Sequence, residues 1–97
     1  MDKQARNFDS EASTWDKPGR IKLANNVAAA LMEEVRLDPG MEVLDFGCGT
    51  GLLSLRLQPF VRSVTCVDNS RGMLEVLKKK VEGGGLKNVR IEHLNLD

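Results

Sequence analysis

The run Glu42-Val43-Leu44-Asp45-Phe46-Gly47-Cys48-Gly49-Thr50-Gly51, followed at once by Leu52-Leu53-Ser54-Leu55, limits what this chain can fold into more than any other stretch. A short apolar segment passes straight into three glycines at alternate positions, and apolar residues resume directly after them. This is the pattern of a buried strand ending in a tight loop that opens a helix, whose first amides lack partners within the helix and are free to face a ligand. The glycines let the backbone turn sharply and bring a small molecule against the main chain without Cβ interference. The stretch reads as a binding site.

Length and charge restrict what surrounds such a site. At 97 residues, with 14 basic and 14 acidic side chains, the chain is expected to form one globular domain, and it holds no apolar run of membrane-spanning length. The N-terminus is polar where a secretory segment would be apolar, so a cytoplasmic location is expected and the two cysteines, Cys48 and Cys66, should be reduced thiols. Neither belongs to a CxxC pair and His93 is the single histidine, too few ligands for a structural zinc site, so no metal is expected. Balanced charge without a basic-aromatic stripe gives no sign of a nucleic-acid surface.

Residues 1–13 are polar and without a clear period, and are expected to form a mobile arm, the N-terminal part of an arm covering residues 1–17 ahead of a domain over 18–97. Phe8 and Trp15 stand out there. Large aromatics in a polar segment either dock on the domain or cover a ligand, and docking is the simpler reading. Over residues 18–36, Ala24, Val27, Ala28, Leu31, Met32 and Val35 follow the i, i+3, i+4 spacing of a helix burying one face, and Asp38-Pro39-Gly40 turns the chain into the first strand. After the glycine loop, residues 50–58 are expected to be helical, ending before Pro59. Residues 62–68 read as a second buried strand around Val64, Cys66 and Val67. Ser70 is placed as the N-cap of a third helix with Met73, Leu74, Leu77 and Val81 inside, Lys78, Lys79 and Lys80 as a solvated end, and Gly83-Gly84-Gly85 as its stop. Residues 88–96 read as a third strand, with Val89 and Ile91 on one face. His93 is either a satisfied strand histidine or a catalytic base, and without a nucleophile or second histidine nearby the strand reading is preferred.

Helix, strand, helix, strand, helix, strand implies an α/β fold with parallel strands joined by right-handed crossovers. Ligands then bind beyond the C-terminal strand ends. Asp45, Asp68 and Asp97 sit at or near the three ends, so three carboxylates should share one rim. Asp68 follows the glycine loop by about twenty residues, the position of a ribose acceptor. Each acid alone could simply be solvated, but a glycine loop with an acidic strand end favours a nucleoside ligand. In the dinucleotide fingerprint G-x-G-x-x-G/A the last position would fall on Leu52, and no Gly-Lys-Ser/Thr follows the loop as a P-loop needs.

The stretch Val43-Leu44-Asp45-Phe46-Gly47-Cys48-Gly49-Thr50-Gly51 closely resembles the first motif of class I S-adenosylmethionine-dependent methyltransferases, D/E-x-G-x-G-x-G. Val67-Asp68-Asn69-Ser70, then Met73-Leu74, is similar to the family's second strand and following helix. Phe8-Asp9, Trp15-Asp16 and Ala29-Ala30-Leu31 are similar to the opening segment of the branch that contains the ubiquinone and menaquinone biosynthesis methyltransferases. The resemblance implies a Rossmann-like three-layer αβα fold with strands in the order 3-2-1, and S-adenosyl-L-methionine as cofactor. By that resemblance Asp45 and the backbone of Gly47, Cys48, Gly49, Thr50 and Gly51 would hold the methionine end. Asp68 would take the ribose hydroxyls, Asn69 and Met73 would lie along the adenine, and Asp97 would meet the adenine amino group.

The family's fold continues through further strands, in the order 3-2-1-4-5-7-6, and residues beyond the third strand usually shape the acceptor pocket. The chain is therefore expected to be an N-terminal portion or engineered piece of a methyltransferase, or a naturally short relative. Such a piece would lack the acceptor pocket. No catalytic residue is assigned, and the methyl acceptor, expected to be a small molecule, is unknown. Two alternatives stay open: a nucleoside-cofactor binding module without catalysis, and a fragment of an NAD-dependent oxidoreductase. With strands in the order 3-2-1 the first strand would have one open edge, through which self-association is expected.

Overall fold

Three parallel strands carry the structure, a computed structural model that describes residues 8–95. They are β1 (Glu42–Phe46), β2 (Ser63–Asp68) and β3 (Val89–His93), with β2 in the middle. The register sets Asp45 opposite Cys66 and Asp68 opposite His93, so the C-terminal ends of the strands form a common rim. Four helices complete the described chain: α1 (Phe8–Glu11), α2 (Pro18–Glu34), α3 (Ser54–Leu57) and α4 (Arg71–Gly84), with 3-10 turns over Ala12–Thr14 and Gln58–Phe60. The strand order and the parallel pairing are those the family resemblance implied, 3-2-1 with all strands parallel.

Alternation along the strands decides which face is covered. Val64 and Cys66 are fully buried and pack with Leu74 and Leu77 of α4, while Val43, Val89, Ile91 and Leu55 close around them. Both crossovers step in the same direction along the sheet, so right-handed connections put α3 and α4 on the same face. Residues of the other phase, Leu44 and Phe46, are each 65% exposed on the opposite face, which no described helix covers.

The glycine loop delays the helix expected over residues 50–58. Gly51 has φ +83°, outside the helical region, and regular α-helix begins only at Ser54, lasting one turn before Gln58–Phe60 tightens into a 3-10 turn that accommodates Pro59. Helix α4 follows its sequence signals closely. The Ser70 hydroxyl accepts a hydrogen bond from the Met73 amide at 3.2 Å, and Gly85 ends the helix in the left-handed region while the Leu86 amide donates to the Val81 carbonyl.

Helix α2 buries less than its pattern promised. Of the expected inner face only Ala28 is fully buried, and Val27, Met32 and Val35 remain exposed. A helix of 17 residues, about 25 Å long, packs chiefly on the four-residue α3 and overhangs it. The mobile arm expected over residues 1–13 lies partly outside the described residues. From Phe8 onward the segment is ordered into α1 and its 3-10 turn, which lie against α4 with Ala12 buried.

Candidate functional site

The glycine loop leaves β1 and leans on β2. The Gly47 and Cys48 amides both donate to the Val67 carbonyl, at 2.7 and 3.0 Å, and the Gly49 amide donates to Asp68 Oδ2 at 2.8 Å. Asp68 Oδ1 accepts from the Ser70 amide at 2.9 Å, so this one carboxylate ties the loop to the first turn of α4. The loop glycines differ in purpose. A Cβ on Gly47 would meet open space, whereas one on Gly51 would lie 2.4 Å from Leu77 Cδ1. Gly47 leaves room on the ligand side; Gly51 lets α4 pack under the loop.

A cavity of about 260 Å³ opens where these parts meet, lined by Gly47, Gly49, Asp68, Asn69, Met73, Phe8 and Trp15. The Phe8 and Trp15 rings stand edge to face at 5.7 Å, and Arg20 stacks its guanidinium 3.6 Å from the Trp15 centroid. Docking and covering, set against each other in the sequence, are thus combined: the aromatics dock, and the place where they dock is the cavity wall. Hollows of about 460 and 480 Å³ lie on the uncovered sheet face toward the N-terminal strand ends and between α2 and α3, away from the C-terminal rim, so size alone does not mark the site. The meeting of glycine loop and acidic strand end does.

Of the residues singled out from the sequence, Gly47, Gly49, Asp68, Asn69 and Met73 come together on this cavity. Cys48 and Thr50 line an adjoining hollow of about 310 Å³ with Trp15, Arg20 and Leu53. Asp45 shares the helix-covered face of β1 with Val43, and its Oδ2 accepts a 2.5 Å hydrogen bond from the buried Ser54 hydroxyl. Asp97 lies outside the described residues. His93 Nε2 donates to the Asn69 carbonyl at 3.1 Å, the satisfied strand histidine preferred from the sequence. Contact with Cys66, burial and the nearby carboxylates of Asp45 and Asp68 all push the Cys48 thiol far above its ordinary range, so it stays protonated and is no nucleophile.

Three residues escaped the sequence reading. Asp9 Oδ1 accepts from the Ser70 hydroxyl at 2.5 Å and from the Gly72 amide at 2.7 Å, fastening α1 to the start of α4. Those hydrogen bonds, aided by His93 and Arg71, hold the Asp9 carboxyl below its usual range. Asp16 accepts from the Thr50 hydroxyl and pairs with Lys80, which was read as part of a solvated helix end. A signal was available: each aromatic of the N-terminal segment is followed at once by an aspartate, Phe8-Asp9 and Trp15-Asp16.

The methyltransferase domain family matches residues 43–97. The mitochondrial ubiquinone biosynthesis O-methyltransferase of Schizosaccharomyces pombe is 34% identical over 96 residues, covering 91% of this chain and 35% of the relative. Among solved structures, an SAM-dependent methyltransferase from Aquifex aeolicus superposes with a TM-score of 0.71 at 29% identity, over 89% of this chain and 46% of that one. The DhpI–SAH complex gives 0.69 at 26% identity, over 92% and 42%. The chain thus spans about a third of the length of the S. pombe relative and under half of either solved chain. With the glycine motif, the strand order and these likenesses in agreement, the chain belongs to the class I S-adenosylmethionine-dependent methyltransferase family and is related to its ubiquinone biosynthesis branch.

Proposed function

We propose that the cavity binds S-adenosyl-L-methionine and that the protein containing this chain transfers the cofactor's methyl group to a small-molecule acceptor. The observation that carries the reading is the hydrogen bond from the Gly49 amide to Asp68, which joins loop and acid on one rim. The residues fit the cofactor. Asp68 uses one acceptor site of each oxygen on a backbone amide, and a carboxylate has about four, so two ribose hydroxyls can still donate to it. Met73 and the aromatic pair offer apolar surface to a purine beside Asn69, and about 260 Å³ approaches the lower end of small-molecule sites, room for the nucleoside part. The loop backbone and Asp45 are assigned to the methionine end, where the Gly47, Cys48, Gly49 and Gly51 amides already donate within the chain and so are not the free donors expected from the sequence, and Asp97 is assigned to the adenine amino group.

When bound, the cofactor supplies a methyl group already activated by its sulfonium, so no metal or covalent catalyst is required. The work of the chain's own residues is to hold the adenosyl part at Asp68 and Met73, fix the loop, and exclude water with Phe8 and Trp15. Both cysteines are free, which suits a reducing cytoplasmic setting, and no helix among the described residues is long and apolar enough to cross a membrane.

Calorimetric titration with S-adenosylhomocysteine, run beside a reduced nicotinamide cofactor, tests the reading. We expect the adenosyl ligand alone to bind, and Asp68→Ala to weaken it about tenfold or more, since charge-assisted hydrogen bonds contribute roughly 1.5–3 kcal/mol each. Unchanged affinity in that variant would remove Asp68 from the site. Transfer of labelled methyl groups to a panel of small acceptors then separates an enzyme from a binding module.

A further inference from the structure

Three parts of the chain far apart in sequence close a ring of polar contacts behind the glycine loop. The Thr50 hydroxyl donates to Asp16 Oδ1 at 2.5 Å, Lys80 Nζ lies 2.5 Å from Asp16 Oδ2, and the same ammonium donates to the Thr50 carbonyl at 3.0 Å. Thr50 is buried, whereas Asp16 and Lys80 are each 27% exposed, so the contacts are partly shielded from solvent. The members are well placed to pass position between elements. Asp16 adjoins Trp15 on the cavity wall, Thr50 follows the Gly49 amide that meets Asp68, and Lys80 lies one turn of α4 beyond the Leu77 packed under Gly51. Lys78 and Lys79, its neighbours, are exposed.

We propose that Asp16 and Lys80 are positioning residues for the cofactor site, a clamp that couples docking of the N-terminal segment to the conformation of the glycine loop. This rests on the cofactor reading given above. Neither residue need touch the ligand. Lys80 neutralises Asp16 and holds the Thr50 carbonyl, which fixes the Thr50–Gly51 peptide plane one residue beyond Gly49, and Asp16 keeps Trp15 against the cavity. By linkage, a ligand that favours the closed arrangement must also shield Trp15 further.

The test uses the 97-residue chain and its Lys80→Met, Asp16→Asn and double variants. S-adenosylhomocysteine affinity is measured by calorimetry, and Trp15 accessibility, the single tryptophan, by acrylamide quenching with and without ligand. Each single variant should lose about fivefold in affinity, as expected for a partly exposed, charge-assisted pair. Each should raise Trp15 quenching before any ligand is added. The double variant should be no weaker than the singles, because all of them break one network. Thr50→Val, which removes a hydroxyl at nearly constant volume, should act in the same direction and serves if Lys80→Met does not fold. Unchanged affinity in folded Lys80→Met, or additive losses in the double variant, would overturn the clamp. A wild-type chain that does not bind S-adenosylhomocysteine overturns the cofactor reading instead. The coupling of segment and loop is then decided by quenching alone, and equal quenching in wild type and variants rejects it.

Discussion

Single atoms decide how the N-terminal segment meets the domain. A Cβ on Gly72 would stand 2.7 Å from Asp9 Cα and 2.8 Å from the Asp9 carbonyl, both backbone atoms that cannot turn aside. Gly72→Ala should therefore displace α1 while leaving α4 intact, since alanine favours a helix, and raised acrylamide quenching of Trp15 with unchanged helical circular dichroism is the expected result. Asp9 makes the same contact dependent on pH. Its folded-state pKa is lowered, so its contribution to docking is complete above the ordinary carboxylate range and is lost as pH falls through the depressed value. An acid titration of Trp15 fluorescence should show the segment loosening in that range, and Asp9→Asn should remove the step. The aromatic-aspartate pair Phe8-Asp9 marked the segment in the sequence, but not its partner, since Asp9 and Gly72 stand 63 positions apart. By contrast Asp68 was legible, because loop and strand end follow each other at a spacing the fold imposes.

Elements were readable where local chemistry and packing agree. In α4 the Ser70 cap, the apolar face and the left-handed Gly85 all mark one helix, and the structure keeps each. Leu77 is fully buried at the centre of that face, so Leu77→Ala should cost about 2–5 kcal/mol in urea denaturation. Gly51→Ala tests the loop's junction with the same helix. A positive φ and a clash with Leu77 combine there, and about 1–3 kcal/mol of destabilisation is expected in the same measurement. Helix α3 shows where pattern reading fails. Apolar residues from Leu52 onward suggested a helix from the loop itself, but the left-handed backbone at Gly51 postpones it, and periodicity carries no trace of a dihedral angle. Helix α2 was found with its boundaries nearly right and its buried face overstated, because spacing reports which side is apolar and not how much partner lies beneath it.

As a whole the molecule is elongated, 43 × 25 × 25 Å, with helices on one side of the sheet and Leu44 and Phe46 bare on the other. Among the described residues β1 is paired on one edge only. An apolar parallel strand left open in this way is a template for another chain, and sedimentation should show association that grows with concentration; a monomer at every concentration would refute it. The strand order was legible because right-handed crossovers leave few arrangements, whereas the closure of the N-terminal segment was not, since polar contacts between distant residues leave no periodic mark. The acid at the tip of β2 is gripped by the Gly49 and Ser70 amides, both contacts within the chain itself, so its orientation is settled when the chain folds. A ligand arriving there meets an acceptor already aimed, and the ordering entropy that a loose side chain would subtract from affinity has been met in advance.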